Sequence, residues 1–235
     1  MNSYAKRLTL IALLVLLVPM LILAVIGAFR TAGKDFSIKE KIIIENSDSV
    51  MYVTVINDPA DSVILRTPSR ELSVKALKSE AFRTLAEKMR RTVTAPHQDG
   101  VGIAAPQVGV NKRVIWVMRL DKEGEPLELY ANPVILSKSE SVEDGEEGCL
   151  SVPCLRGSVS RSVSIEISYT SLETFQTVTE TVEGYTARIF QHECDHLDGI
   201  LFKDRADSVY VDEKWAAERK EFEARGLFVK PDFLD

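Results

Sequence analysis

Two histidines, His192 and His196, stand four residues apart in the run His-Glu-Cys-Asp-His. On a helix that spacing puts both imidazoles on one face, where they can share a metal ion. Glu193 follows the first of them, so its carboxylate can reach a water beside the ion and act as a general base. A tetrahedral hydrolytic site takes a third protein ligand. Downstream of His196 there is no further histidine, but Asp198 and Asp204 are available carboxylates. Upstream, Cys149 lies in Glu-Gly-Cys-Leu-Ser (residues 147–151), behind a glycine that allows close backbone approach. Its thiolate would be a strong soft-metal ligand. The residue pattern alone leaves the choice between these open. The remaining histidine, His97, falls in a polar stretch where a solvated ring is expected. Cys194 follows His192 by two positions, off the metal face, and is expected in the core.

The elements that must position these groups are legible in part. Tyr185 to Leu197 reads as a helix closed by Gly199. Phe82, Leu85, Ala86, Met89 and Val93 recur at helical spacing, with Ser79 as cap and Pro96 as terminator. Val114–Val117 is a short apolar run, and Val163 to Thr170 alternates apolar with polar residues, as a half-buried strand does. A charged helix is expected from Asp212 to Arg225, stopping at Gly226. Helix, strands and helix in this order predict an α+β domain, with mostly antiparallel sheets around the metal-binding helix.

Ahead of that domain, residues 8–29 hold no charged residue and are flanked by Lys6, Arg7 and Arg30. At about 1.5 Å per helical residue this run can cross a bilayer core of about 30 Å. It is longer than the apolar core of a cleaved signal peptide, and Ala24–Ala28 makes a poor cleavage site. The division expected is a single-pass membrane anchor over 1–34, a polar linker over 35–50 and a catalytic domain over 51–235. Arg30, Lys34, Lys39 and Lys41 outnumber Lys6 and Arg7, which favours a cytoplasmic catalytic domain. The 235 residues carry a net charge of −6, which argues against direct nucleic-acid binding. Three cysteines are too few for a disulfide framework.

Three segments together resemble the peptide deformylase family. They are Gly-Val-Gly-Ile-Ala-Ala-Pro-Gln-Val-Gly (100–109), Glu-Gly-Cys-Leu-Ser (147–151) and His-Glu-Cys-Asp-His (192–196), in the family's order. Asp58-Pro59 and Leu65-Arg66 are similar to its entry segment. The resemblance implies that Cys149 joins His192 and His196 as the metal ligands. It implies Fe2+ as the native ion, though the donor set would also accept Zn2+, Ni2+ or Co2+. It implies hydrolytic removal of the formyl group from the N-terminal formyl-methionine of nascent polypeptides, with Glu193 moving the proton. By the same analogy the Gln107 amide and the Leu150 backbone N–H are the oxyanion donors.

Gly100 and Gly102 are then expected to let an extended substrate lie close. Val101 is expected to line the methionine pocket, with Ile189. Arg156 and Arg161 either position substrate or brace the loop. The anchor departs from the family's usual form and suggests proximity to ribosomes making membrane proteins. The charged C-terminal helix, with five acids against four bases, gives no electrostatic reason to bind ribosomal RNA. Two other readings use the same residues: an exported metallo-amidase or metallopeptidase, and a non-catalytic membrane-anchored metal-binding module.

Overall fold

The helix Gly184–Leu197 is the axis on which the structure, a computed structural model, is built; residues 35–98 and 100–234 are described. Almost every side chain from Thr186 to Leu197 is buried, polar ones included. The helix stops at Gly199, whose φ of +76° suits a glycine, and a Cβ there would stand 2.6 Å from the Arg66 carbonyl oxygen.

Around this helix lie two antiparallel sheets. The first takes β1 (Gly102–Ala104), β2 (Val114–Met118), β3 (Leu127–Lys138), β6 (Ser164–Thr170) and β7 (Thr177–Glu183), in the order β1-β2-β3-β6-β7. The second holds β4 (Val142–Cys149), β5 (Val152–Ser162) and β8 (Val209–Val211), in the order β4-β5-β8. Alternation drives this: in β6, Ile165 and Ile167 are buried while Glu166 is exposed. Ile115, Val117, Ile165, Ile167 and Val182 from the first sheet pack against Ala187, Phe190, Cys194 and Leu197 of the axial helix. The α+β architecture expected from the sequence is therefore the one observed.

Among the described residues four helices precede β1. They are α1 (Ile38–Asn46), α2 (Pro59–Arg66), α3 (Val74–Leu77) and α4 (Glu80–Val93); the axial helix is α5 and Glu213–Ala224 is α6. In α4 the Ser79 hydroxyl caps the helix by accepting from the Phe82 N–H, and the periodic apolar residues form its buried face. One expectation is corrected. Within the supposed linker over 35–50, α1 is a capped helix: the Ser37 hydroxyl accepts from the Glu40 N–H, and the Glu40 carboxylate from the Ser37 N–H. Ile43 and Ile44 are buried in one cluster with Leu85 and Met89. Lys88 Nζ donates to the Ile44 carbonyl at 2.7 Å and to that of Ser47 at 2.5 Å. Burying each isoleucine is worth about 1.5–3 kcal/mol, so this segment belongs to the folded body.

The expected membrane span at 8–29 lies outside the described residues. Among the described residues no helix is long and apolar enough to cross a membrane.

Candidate active site

The site is assembled from four pieces of chain. Helix α5 carries His192, Glu193 and His196; β4 ends at Cys149, followed by Leu150 in the turn to β5. A 3-10 turn over Ala105–Val108 carries Gln107, and β1 begins at Gly102. Ligand atoms of Cys149, His192 and His196 all lie within 4.8 Å of one another. Cys149 Sγ is 3.1 Å from His196 Nε2, and Gln107 Nε2 points at the same sulfur from 3.6 Å. Gln107 is oriented from its other end, where its Oε1 accepts from the Ala104 N–H at 2.8 Å.

The donor set suits a divalent transition metal: one sulfur and two imidazoles at a buried point. Two further observations support the fit. Glu193 Oε2 is buried with no hydrogen-bond partner. His192 Nδ1 meets Glu147 Oε2 at 2.9 Å, which leaves Nε2 available to a metal, the usual arrangement at metal-bound histidines. The alternative third ligands are engaged elsewhere. Asp198 is exposed and paired with Arg113, and Asp204 is paired with Arg66.

Glu147 is the hub that braces this arrangement. Arg161 holds it through Nε and Nη2, both at 2.9 Å, and Arg188 Nη1 reaches it at 3.0 Å. Arg161 also donates to Asp195, which Arg205 holds in turn. Burial alone would raise the Glu147 carboxyl, but hydrogen bonds from Arg161 and His192 hold it down at about 2. Glu193 differs: burial pushes its carboxyl up to about 7, where it can both take and give a proton. Cys194, packed in the core as expected, has its thiol pushed up to about 12 by burial.

A cleft of about 620 Å³ opens over these groups. Val101, Leu150, Ile189, Arg156 and both Gly100 and Gly102 line it. Of the two arginines with open roles, Arg161 is buried among carboxylates and braces the site, whereas Arg156 faces the cleft and pairs with Asp212 at 2.6 Å. The glycines have a use beyond the one expected. A Cβ at Gly102 would stand 2.6 Å from Glu193 Oε1, and one at Gly100 would stand 2.9 Å from Val93 Cγ2. Gly145 likewise leaves room for the Arg188 guanidinium, whose Cζ lies 2.7 Å from where a Cβ would be. Arg188 forms part of the wall of the main cleft and of a second cavity of about 330 Å³.

The family profile described as polypeptide deformylase matches residues 50–211. The chain belongs to that family. The peptide deformylase of Desulforudis audaxviator is 46% identical over 163 residues, covering 69% of this chain and 97% of its own. A class I type b peptide deformylase from Acinetobacter baumannii, solved with Met-Ala-Ser bound, superposes with a TM-score of 0.58 at 38% identity, covering 66% of this chain and 98% of that one. The peptide deformylase of Thermotoga maritima gives 0.58 at 36%, over 67% and 99%. As a deformylase, the chain is a metal-dependent hydrolase of protein biosynthesis, and it removes the N-formyl group from nascent polypeptides.

Several residues at the deformylase cleft escaped the sequence reading. Glu147 lies inside the cysteine motif, where an acid two positions before a candidate ligand could have signalled a carboxylate that orients a histidine. Tyr185, Arg188, Trp215, Phe222 and Phe228 also line the cleft and carried no such signal. His97, expected to be solvated, instead packs its ring edge-on against Phe222 at 6.1 Å and Phe228 at 5.5 Å. It does so because the C-terminal segment folds back to it.

Proposed function

We propose that Cys149, His192 and His196 hold the ion of this deformylase, with Fe2+ as the native metal and Zn2+, Ni2+ or Co2+ as alternatives, and that Glu193 is its proton shuttle. The observation that carries this reading is the convergence of three soft and borderline donors within 4.8 Å, beside a buried carboxylate with an unpartnered oxygen. When bound, the ion supplies Lewis acidity, which activates water and polarises the formyl carbonyl. Glu193 accepts the proton of the attacking water and passes it to the departing amine nitrogen. Its elevated pKa suits both halves of that transfer. Gln107 Nε2 and the Leu150 N–H donate to the formyl oxygen as negative charge grows there, each donor contributing about 3–4 kcal/mol to barrier lowering.

The substrate backbone lies along β1, an edge strand paired only with β2, beside Gly100, Val101 and Gly102. Val101 and Ile189 face the methionine side chain. The Met-Ala-Ser held by the Acinetobacter relative makes formyl-Met-Ala-Ser a fitting substrate. The decisive experiment is an anaerobic assay on that peptide with metal analysis of the same sample. Formate release that follows metal content supports the reading, and a fully loaded protein releasing none overturns it.

Residues 8–29 are proposed to anchor the enzyme as a single membrane span, with the catalytic body cytoplasmic and close to ribosomes making membrane proteins. Support comes from the uncharged run and its basic flanks. The packing of α1 moves the proposed start of the catalytic body from Met51 back to about Asp35.

A further inference from the structure

The segment that follows the family match bears directly on the cleft. It starts at Asp212, whose N–H donates to the Cys154 carbonyl of β5 and whose carboxylate is paired with Arg156. Trp215 then lies over the end of β4, its Cζ3 3.6 Å from where a Cβ on Gly148 would be. At its far end Phe222 and Phe228 meet His97, three residues before Gly100. The segment therefore spans the cleft mouth, from the strand bearing Cys149 to the strip bearing Gly100 and Gly102.

Its composition fits a ligand-facing wall. Trp215, Glu218, Arg219 and Phe222 fall at i, i+3, i+4 and i+7 of α6, one helical face, and all four line the cleft. No residue of α6 is fully buried, and its two aromatic side chains are half-buried, part of each left to face the cleft. Arg219 is held by Glu223 at 2.8 Å and stacks on Phe228, with Cζ 4.5 Å from the ring centroid. The charge of Arg219 is thus paired off, and beside it the wall offers a neighbour the aromatic surface of Trp215 and Phe222.

We propose that the segment 212–228 forms a binding wall for the second and third residues of the formylated chain, and that it favours an aromatic or large apolar side chain there. This rests on the deformylase reading of the site. A chain laid along β1 with its formyl group at the metal ligands must leave through the cleft mouth. Two extended residues reach about 7 Å beyond the methionine. Ring-on-ring contact with Trp215 or Phe222 would favour an aromatic third residue about two- to tenfold.

The test uses the full chain, loaded with metal, on formyl-Met-Ala amide, formyl-Met-Ala-Ser amide and formyl-Met-Ala-Phe amide. Wild type is expected to prefer the phenylalanine peptide over the serine peptide two- to tenfold in kcat/KM. In Trp215→Ala and Phe222→Ala that ratio should fall to about one, mainly through KM. If Trp215→Ala fails to fold by circular dichroism, Phe228→Leu reads the same ratio from a position nearer the chain end. Equal losses on all three peptides would make the segment a structural prop and overturn the proposal. So would an undiminished preference, or none in wild type. Failure of wild type on every formylated peptide would instead defeat the deformylase reading itself.

Discussion

At the residue scale, the site separates groups that hold from groups that react. Glu193 touches none of the ligand atoms by hydrogen bond, yet its carboxylate is buried beside them and raised to about 7. Glu193→Ala is therefore expected to keep its metal by elemental analysis while turnover falls at least about 100-fold, the lower end of what a positioned general base contributes. Loss of metal along with activity would show Glu193 to be structural. Gly102 makes a sharper test of geometry. Its Cβ would stand 2.6 Å from Glu193 Oε1, so Gly102→Ala must displace the carboxylate. A displacement near 1 Å can cost about 100-fold, and the loss should appear in kcat on formyl-Met-Ala-Ser more than in KM. The histidine pair and its glutamate were legible in sequence because their spacing encodes a shared helix face. The proposed third ligand was legible only as one candidate among several, since nothing local ties Cys149 to histidines more than 40 residues away; the family resemblance singled it out. The bracing arginines were harder still, because a buried arginine and an exposed one look alike in a sequence.

Elements show the same division. Helix α4 announces itself by apolar spacing and a serine cap, and α5 by its motif and closing glycine. Helix α1 does not: Ile42, Ile43 and Ile44 stand consecutively, without helical period, among charges that resemble a linker. Its one local signal was the Ser37–Glu40 capping box. Ile44 is fully buried, and Ile44→Ala is expected to cost about 2–5 kcal/mol, measured by urea unfolding. A cost below 0.5 kcal/mol would return the segment to linker status. At the end of β2, Arg119 ties Asp121, Glu128 and Glu180 together. Hydrogen bonding from Arg119 lowers the Asp121 carboxyl from 3.8 to about 2. A folded-state pKa below the unfolded one adds stability that is present above about pH 4 and is lost as pH falls toward 2. Melting curves of wild type and Asp121→Asn should therefore differ at pH 6 and converge near pH 2. A constant gap across that range would contradict the assignment.

On the scale of the whole molecule, the family match over 50–211 leaves an apolar run before it and an aromatic segment after it. The run is legible at once as one of bilayer length, and the aromatic segment not at all, because Trp215 and Phe222 in a charged helix read as an ordinary solvated face. The proposed anchor predicts that the 235-residue chain sediments with membranes and resists high-salt extraction, whereas a chain beginning at Asp35 stays in the supernatant. Release of the 235-residue chain by salt alone would remove the anchor.

The side chain of Arg188, with Glu146 and Tyr185, borders both chambers, and its guanidinium is braced by the Glu147 carboxylate and by the carbonyls of Glu143, Gly145 and Val159. Truncating that side chain would widen both chambers at once. The same side chain leans on the carboxylate that meets His192 Nδ1, so widening the chambers would also take one support from that imidazole.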